Sequence, residues 1–549
     1  YQVTNNFTYY AGKHSVTAGA NFEYFQFANG FTPRFYGDFR FPSFSAFYNS
    51  FPAGTRTPVG ESTGLGRPTR YELTYSAVPG VAVPIAELEV GQFGLYLQDE
   101  FQITDRLKVT HGIRFDVPYY PKKLARNEKV EGLTFANGEK IDVSTFAKAR
   151  ALWSPRIGFN YDVMGDNKIQ LRGGTGIFTG RIPFVWLSNQ ASNNGILFGS
   201  ILQTGNLTNS NPADDYVNFP FSPDPAKYIP ANATLPSTVL INSTDRNFKF
   251  PQVWRSSFAA DIDLYRGYIL TLEGIYSEDI NAVYHRDLNF KAPRGTLDTP
   301  NDKRELFAGS AASNRINSSV TNAIQLTNTN QGYSYFLTAQ LQKQFANGFS
   351  ASAAYTYGES KDLTSSPSAI AATAWNSNQV PSSPNTPVLS WSNYDLRHRF
   401  LASGSYRFEL LNHVGVTLAA FWNAQRGGSI FSDAAAVGSP STRYSYTYGG
   451  DLNGDGITNN DLIYVPLDQS DITLVDNKIG TVTYTPAQQW EALNAFIEQD
   501  PYLSKNRGKV MPRNGGVFPW FNKVDVRAAV DLFSNLGKSK NKLQFTCDI

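Results

Sequence analysis

The feature that most constrains this chain is a two-residue alternation of apolar and polar side chains that recurs in pairs of segments. In the clearest pair, residues 92–117, the odd-numbered positions from Phe93 to Val117 are mostly apolar, and the even-numbered positions from Gln92 to Asp116 are mostly polar. A period of two indicates β-strands with one apolar and one polar face. Strands of about ten residues match the length that a tilted strand needs to cross a bilayer. The pattern therefore predicts a transmembrane sheet in which the odd-numbered residues from Phe93 to Phe115 face lipid.

Seven pairs of this kind occur along the chain, and a short polar turn separates the two segments of each pair. The pairs are 3–27, 92–117, 156–177, 254–276, 333–357, 400–422 and 524–549. Seven hairpins predict about 14 antiparallel strands. Longer segments separate the pairs, namely 28–91, 118–155, 181–252, 285–332, 359–395 and 424–520.

The positions of the short turns and long loops predict the orientation of the sheet. Alternate connections of an antiparallel sheet emerge on opposite sides. We therefore expect the turns at Asp105, Gly165, Arg266, Asn347 and Asn412 at one rim and the long loops at the other. This asymmetry is typical of an all-β, transmembrane antiparallel β-barrel with periplasmic turns and long extracellular loops.

The composition agrees with a membrane barrel and excludes several other classes of protein. Aromatic residues make up 14% of the 549 residues and charged residues only 17%, whereas soluble domains have about 25% charged residues. The net charge of +2 is too small to indicate a nucleic-acid partner. The single cysteine, Cys547, excludes an internal disulfide and a cysteine-rich metal site. Because the chain has no HExxH, GxSxG or P-loop motif, we expect no enzyme, no catalytic residue and no organic cofactor.

The polar positions of the strands are the candidates for the inner wall of the barrel. Because lipid-facing and lumen-facing residues alternate, these side chains should all point into the lumen. They are Gln98, Glu100, Lys108, Arg114, Asp116, Arg156, Asp162, Gln170, Arg172, Asp261, Asp263, Glu273, Gln340, Lys523, Asp525 and Arg527.

The sharpest local motif is DLNGDGITNND at residues 451–461. Asp451, Asn453 and Asp455 at positions 1, 3 and 5, followed by glycine, form the first half of an EF-hand-type calcium loop. The carbonyl of Ile457 would supply a further oxygen. The motif departs from the EF-hand because its last carboxylate, Asp461, comes one residue early. We expect these five residues to bind a calcium ion that stiffens the loop and orders 462–466, without being needed for barrel formation; a turn without metal is the alternative.

One helix is predicted within the long segment 424–520. Thr485 is a candidate N-cap, Gln488 can complete a capping box, and Pro501 ends the helix. Trp490, Leu493 and Ile497 share one face at helical spacing. We interpret the helix as a packing element of the extracellular loops.

Several stretches resemble the barrel of TonB-dependent outer-membrane receptors. They are GLYLQDEFQITDRLKVTHGIRFD at 94–116, SPRIGFNYD at 154–162, LRGGTGIFTGR at 171–181 and YDLRHRFLASGSYRF at 394–408. Two later stretches, DLNGDGITNNDLIYVP at 451–466 and YLSKNRGKVMPRNGGVFPWFNKVDVRAAVDLF at 502–533, are similar to the Oar-like group of these receptors.

The resemblance implies a fold and a function that go beyond the residue patterns. It implies a 22-strand barrel that encloses an N-terminal plug, in the outer membrane of a Gram-negative bacterium. It also implies binding and uptake of a bulky extracellular ligand, whose identity the sequence does not give. The implied partners are outer-membrane lipid, the protein's own plug domain and a TonB-type energising complex that acts through the plug.

The chain departs from this family in what it contains. Its alternating pattern is already under way at Tyr1 and still under way at Ile549. We therefore interpret residues 1–549 as a fragment of a receptor barrel domain, without the plug, the first strands and the last strand, and 424–520 as its long loop with the calcium-like turn and the helix. Two other functions stay open, a passive channel of about 14 strands for hydrophobic substrates and a surface adhesin or binding barrel.

Overall fold

The chain forms one large antiparallel sheet, with smaller sheets and short helices in the long connections between its strands. The computed structural model describes residues 1–30, 32–50, 67–205, 217–231, 235, 238–365, 368–410, 414–426, 442–536 and 539–549. Fourteen long strands neighbour one another in the order of the sequence. They are β1 Gln2–Ala11, β2 His14–Asn29, β3 Ala86–Thr104, β4 Leu107–Tyr119, β5 Leu152–Asp162, β6 Ile169–Thr179, β7 Gln252–Tyr265, β8 Tyr268–Asp279, β9 Gly332–Gln344, β10 Phe349–Asp362, β11 His398–Leu410, β12 Val414–Arg426, β13 Trp520–Leu536 and β14 Ser539–Asp548. The predicted all-β class and the seven hairpins are confirmed.

The short connections lie at one rim of this sheet. Each of them joins an odd-numbered strand to the next even-numbered strand, and neighbouring strands are antiparallel. The turns predicted at Asp105, Gly165, Arg266 and Asn347 are therefore confirmed at a common rim, while Asn412 lies outside the described residues. At the two-residue turn after β7, Arg266 and Gly267 have φ values of 55° and 76°, the left-handed pair that a type I′ hairpin turn requires.

The two faces of the sheet differ as the alternation predicts. We call the face of Leu95 and Ile113, which are 36% and 45% exposed, the outer face. The inner face is that of Gln92 and Asp116, which are only 8% and 3% exposed. The amide nitrogen of Gln92 donates a hydrogen bond to Asp116 over 3.2 Å. Apolar side chains on the outer face are thus available to lipid, whereas polar ones on the inner face pair with one another.

All eight tryptophans lie at or beyond the rim that carries the long connections. Four of them, Trp153, Trp254, Trp422 and Trp520, lie near the strand ends on the outer face and are between 38% and 54% exposed. The others belong to the long connections, at Trp186, Trp375, Trp391 and Trp490. Because the amphipathic indole ring prefers the membrane–water interface, the first four form one aromatic girdle.

The long connections, which we call the cap, comprise 30–85, 120–151, 180–251, 280–331, 363–397 and 427–519. The described part of the cap contains two three-stranded sheets, one of Asp38–Arg40, Arg70–Ser76 and Phe198–Thr204, the other of Val239–Thr244, Val320–Thr329 and Ala282–Asp287. It also contains two-stranded pairs, Gly295–Thr296 with Glu305–Leu306, Arg443–Tyr444 with Gly516–Val517, Tyr464–Val465 with Lys509–Val510, and Asn477–Ile479 with Val482–Tyr484. Ser390–Trp391 pairs with the end of β10.

The described part of the cap contains five α-helices, α1 Phe44–Tyr48, α2 Glu128–Gly132, α3 Val185–Ser192, α4 Ala371–Asn376 and α5 Pro486–Gln499. The helix α5 has the predicted capping box between Thr485 and Gln488, and its Ile497 is buried. The expectation of a single helix is wrong, because the other four have only five to eight residues and are too short to show a helical period in the sequence. In the described part of the chain, no helix has both the length and the hydropathy needed to cross a membrane.

The hydrophobic core of the molecule lies in the cap and at the cap end of the inner face. Leu88 and Val90 of β3 pack with Leu187 of α3, with Ile182 and with Phe250. Further apolar clusters hold the two three-stranded sheets and the helix α5 in place. Since Leu88 and Val90 have the parity of Gln92, the cap packs onto the inner face and covers one end of it.

Candidate functional site

All sixteen predicted lumen residues lie on the inner face of the sheet. The strand register links them in turn: Gln98 is opposite Gly112, Gly112 is opposite Arg156, and the same face continues through Asp162 opposite Gln170. It then runs through the facing pairs Gln170–Asp261, Thr271–Gln340 and Asn423–Lys523, among others. Residues directly opposite each other in an antiparallel pair share one face. The predicted lumen residues therefore form a polar surface on β3 to β9 and on β13.

Ion pairs line this inner face, and one of them joins two neighbouring strands. Arg172 of β6 lies 3.0 Å from a carboxylate oxygen of Asp261 on β7 and 3.3 Å from one of Glu273 on β8. On β4, Arg114 lies 2.7 Å from Asp116. On the cap side, Arg181 pairs with Glu23 of β2. These pairs keep charged groups in register along a wall that lipid does not touch.

Two further guanidinium groups on the inner face make no ion pair with a carboxylate in the described chain. Arg156 lies over the ring of Phe178, 4.5 Å from its centre, and Nε of Arg255 donates to the hydroxyl of Ser277 over 3.0 Å. Both border a cavity of about 630 Å³ that Arg114 and Arg181 also line. Planar guanidinium groups with free donors bind carboxylates and other anions, so this part of the wall suits a polar ligand with anionic groups.

The loop 451–461 lies inside the cap and folds around its own carboxylates. Asp451 accepts hydrogen bonds from the backbone N–H groups of Gly454, Asp455 and Gly456, over 2.7, 3.0 and 2.8 Å. Asn453 Oδ1 accepts from the N–H of Asp455 (2.9 Å), and Asp455 Oδ1 accepts from the N–H of Ile457 (2.7 Å). Positions 1, 3 and 5 of the motif therefore bend the chain into one compact turn.

Asp455 and Asp461 of this loop are buried carboxylates that lie close together. They are 1% and 0% exposed. Burial, with a smaller contribution from the charges of Asp461 and Asp451, raises the pKa of Asp455 to about 7. Burial also raises the pKa of Asp461. Burial is the largest cause of both shifts.

The donor set of the loop is mixed. In the described chain, no three or more His, Cys, Asp or Glu side chains form a group that could hold a metal ion. A cation at 451–461 would therefore need the amide oxygen of Asn453 and the carbonyl of Ile457 besides the carboxylates. The predicted calcium site at Asp451, Asn453, Asp455, Ile457 and Asp461 stays a prediction.

A buried charge cluster that the sequence analysis missed joins the long segment 424–520 to the barrel rim. Asp395 is fully buried and accepts from Arg443 Nε over 2.5 Å and from the N–H of Ser360 over 2.8 Å. The ring of Trp391 lies 4.6 Å from the guanidinium carbon of Arg443. Asp395 and Arg443 are separated by a long stretch of sequence, so no local spacing could have paired them.

Comparisons with known proteins place the chain among membrane barrels. The family model described as "Outer membrane beta barrel domain" matches residues 1–548. No curated protein matches the sequence.

Several solved structures of outer-membrane proteins are similar to the chain. One is a variant of the ferric enterobactin receptor PfeA from Pseudomonas aeruginosa, with 11% identity and a TM-score of 0.41 over 100% of this chain and 47% of that one. The siderophore receptor PirA from Acinetobacter baumannii has 10% identity and a TM-score of 0.39, with 97% and 47% covered. The outer membrane transporter YddB from Escherichia coli has 9% identity and a TM-score of 0.44, with 97% and 47% covered. The chain spans about half the length of each of these structures.

Proposed function

The chain belongs to the family of outer membrane beta barrel domains, and on this premise we propose that it is the barrel of a TonB-dependent receptor of the Oar-like group. As a member of that family it resides in the outer membrane of a Gram-negative bacterium. The proposed activity is binding of a bulky extracellular ligand at the cap and its uptake along the inner face, driven by a TonB-type complex that acts through a plug domain. The family and the inner-face chemistry support a receptor or transporter and give no support to an enzyme.

The observation that carries the proposal is the inner face itself. Its predicted lumen residues form a polar surface on β3 to β9 and on β13, its Arg156 and Arg255 have no carboxylate partner among the described residues, and it leads to a cap with its own hydrophobic core. A wall of this kind lets a polar ligand or a polar plug lie against it without loss of hydrogen bonds. A channel for hydrophobic substrates would need apolar side chains along the path.

The edges of the sheet support a barrel with more than fourteen strands. In the described structure, β1 pairs only with β2, and β14 pairs only with β13. Unpaired backbone groups cost several kcal/mol each in the hydrocarbon region of a bilayer. We therefore propose that further strands of the same protein complete a barrel of about 22 strands, in which residues 1–549 are a fragment of the barrel domain and 424–520 are one extracellular loop.

Conductance of the complete protein in a planar bilayer tests this function. A receptor whose lumen holds a plug should stay closed, and deletion of the plug should open a steady current. The isolated periplasmic part of a TonB protein should bind the complete protein and should not bind the plug-deleted form. A steady current through the unmodified protein would instead support a passive channel. A closed protein without TonB binding would support an adhesin.

A further inference from the structure

We propose that residues 451–461 bind one calcium ion and that this ion holds three segments of the cap together. The segments are 285–332, 359–395 and 424–520. The inference needs only the outer-membrane barrel and its cap, and it is independent of TonB-driven uptake.

The first observation is an anionic oxygen without a partner inside the loop. Asp461 is fully buried, and its Oδ2 accepts from the N–H of Leu452 over 2.8 Å. Among the residues that the structure describes, its Oδ1 has no hydrogen-bond partner, and neither has Oδ1 of the buried Asn460. Because Leu452 lies between two of the proposed ligands, its hydrogen bond brings the Asp461 carboxylate into the turn. A buried carboxylate oxygen without a donor needs a cation or a proton.

Arg304, whose guanidinium lies beside the loop, is already engaged elsewhere. Arg304 makes two hydrogen bonds from Nε to Asp302, over 2.9 and 3.0 Å, and a third from Nη2 over 2.6 Å. It also donates to the carbonyl of Leu462. The guanidinium is thus satisfied mainly by Asp302. Within the described residues it makes an ion pair with Asp302 and none with a carboxylate of the loop.

The chemistry of the donors favours calcium over other metals. All of them are oxygens, from carboxylates, one amide and one backbone carbonyl. Calcium accepts six to eight such oxygens in flexible geometry at about 2.3–2.6 Å, and water completes the shell. Zinc and copper prefer nitrogen or sulfur ligands, and the loop has none.

The loop contacts the segment 285–332 on one side. The N–H of Phe307 donates to the carbonyl of Asn453 over 2.8 Å, and the N–H of Gly309 donates to the carbonyl of Gly454 over the same distance. Asn314 Nδ2 also donates to Gly454 over 2.8 Å. A Cβ added at Gly456 would lie 2.2 Å from the backbone nitrogen of Ala311. The turn is therefore packed tightly against this segment.

The other side of the loop contacts the segment 359–395. The side-chain nitrogen of Asn453 donates to the carbonyl of Ser382. The N–H of Val380 donates to the carbonyl of Asn460 over 3.0 Å, and the N–H of Leu462 donates to the carbonyl of Val380 over 3.2 Å. Because residues 453, 454 and 460 make these contacts and lie within or next to the proposed ligand set, metal binding would order three segments at once.

Calcium titration of the complete, chelator-treated receptor by calorimetry tests the site. We expect one site with a dissociation constant of about 10⁻⁴–10⁻³ M or tighter, the range of extracellular calcium modules. Asp455→Asn should weaken binding by about tenfold or more because it removes a ligand charge. Asp476→Asn, which removes an exposed carboxylate of the same segment, should leave binding unchanged.

Limited proteolysis with calcium or with chelator tests the joint ordering of the segments. Calcium should slow cleavage in all three segments of the unmodified protein, a measurement that does not depend on whether a variant folds. Lack of binding at millimolar calcium, or equal binding by the Asp455→Asn protein, would show a metal-free turn and overturn the proposal. Protection of 424–520 alone would overturn the joining of three segments.

Discussion

At the scale of single residues, the environment of a strand side chain depends on whether its number is odd or even. On β3, Leu95 points to the outer face, while Gln98, three residues later, points to the inner face. Both are open to solvent in the isolated chain. Only the membrane makes their environments different, so a charge should be tolerated at one and not at the other.

Leu95→Arg should destabilise the protein in a bilayer by about 2–4 kcal/mol, because it places a guanidinium on the lipid-facing side near mid-depth. Gln98→Arg is the matched control, since the same side chain then enters the polar inner face and should cost less than about 1 kcal/mol. Unfolding in urea from lipid vesicles measures both. Equal costs for the two variants would contradict the assignment of the faces.

A second residue-scale prediction concerns acid sensitivity of the cap. His285 on strand Ala282–Asp287 is 3% exposed, and its Nε2 has no hydrogen-bond partner in the described part of the protein. Burial lowers its pKa to about 4. In the unfolded chain a histidine has a pKa of about 6.5, so the unfolded form binds the extra proton between these values. The contribution of His285 to the free energy of unfolding of the cap is therefore fully present above about pH 6.5. It is lost as the pH falls toward 4, by about 3 kcal/mol in all.

The variant His285→Phe isolates this effect from that of other groups. Nearby Asp287 is also buried, and burial raises its pKa, which changes stability with pH in the opposite sense. Phenylalanine does not titrate, so the stability of the original protein relative to the variant should fall toward acid pH, because only the histidine takes up a proton on unfolding there. Tryptophan fluorescence can follow urea unfolding at pH 7.5 and 4.5, with Trp186 in edge contact with His285, 5.6 Å between ring centres. Parallel pH profiles of the two proteins would refute the prediction.

The sequence predicted some residues of the candidate sites and not others, for a physical reason. Inner-face residues were predictable because alternation is a local property and the register followed from seven hairpins. The contacts of 451–461 with Phe307, Ser382 and Val380 were not, because they join segments far apart in the sequence. The cluster of Asp395 and Arg443 was missed for the same reason.

At the scale of elements, the hairpin turns are the units that fix the strand register. Gly267, after β7, has a φ of 76°, and no atom lies within 4 Å of the Cβ that an alanine would add. Any cost of a substitution there is consequently a backbone cost and not a clash. A substitution at Gly267 therefore measures the cost of backbone strain without a contribution from side-chain packing.

Gly267→Ala should destabilise the protein by about 1 kcal/mol, the cost of a left-handed conformation for a residue with a Cβ. Gly295→Ala is the control, because that position also has open space and its φ lies outside the left-handed range. It should be neutral or slightly stabilising. Urea unfolding of both variants supplies the comparison, and a neutral Gly267→Ala protein would argue against the type I′ turn.

Some helices and strands of the cap could not be predicted from the sequence. The helix α3, Val185–Ser192, was missed because five of its eight residues are buried, so it has no regular polar face to reveal a helical period. The strands Arg70–Ser76 and Phe198–Thr204 pair across more than a hundred residues of sequence. By contrast, α5 was predicted because its capping box is a local signal.

At the scale of the whole molecule, cross-linking can show which strands are neighbours where the barrel closes. The native cysteine gives a direct test, because Cys547 on β14 faces Ala528 on β13. In the complete protein, Ala528→Cys should form a disulfide with Cys547, since facing strand residues are within disulfide reach. Single cysteines in place of Val3, Asn5, Phe7 or Tyr9 on the outer face of β1 should not.

A disulfide between β1 and Cys547 would mean that the two strands are neighbours and that fourteen strands close the barrel alone. That result would favour the passive channel over the larger receptor. Mobility on a non-reducing gel, with and without reductant, distinguishes the two arrangements. The pair Ala528→Cys with Cys547 shows that the oxidation conditions suffice.

The concentration of all eight tryptophans at one end of the molecule makes intrinsic fluorescence a one-sided reporter. Its emission reports on the membrane interface at the cap rim, on the cap and on whatever binds there, and it does not report on events at the rim of short turns. In a refolding experiment, the fluorescence change would therefore report the time at which the cap ends of the hairpins have crossed the membrane. It would not report the time at which the short turns of those hairpins form.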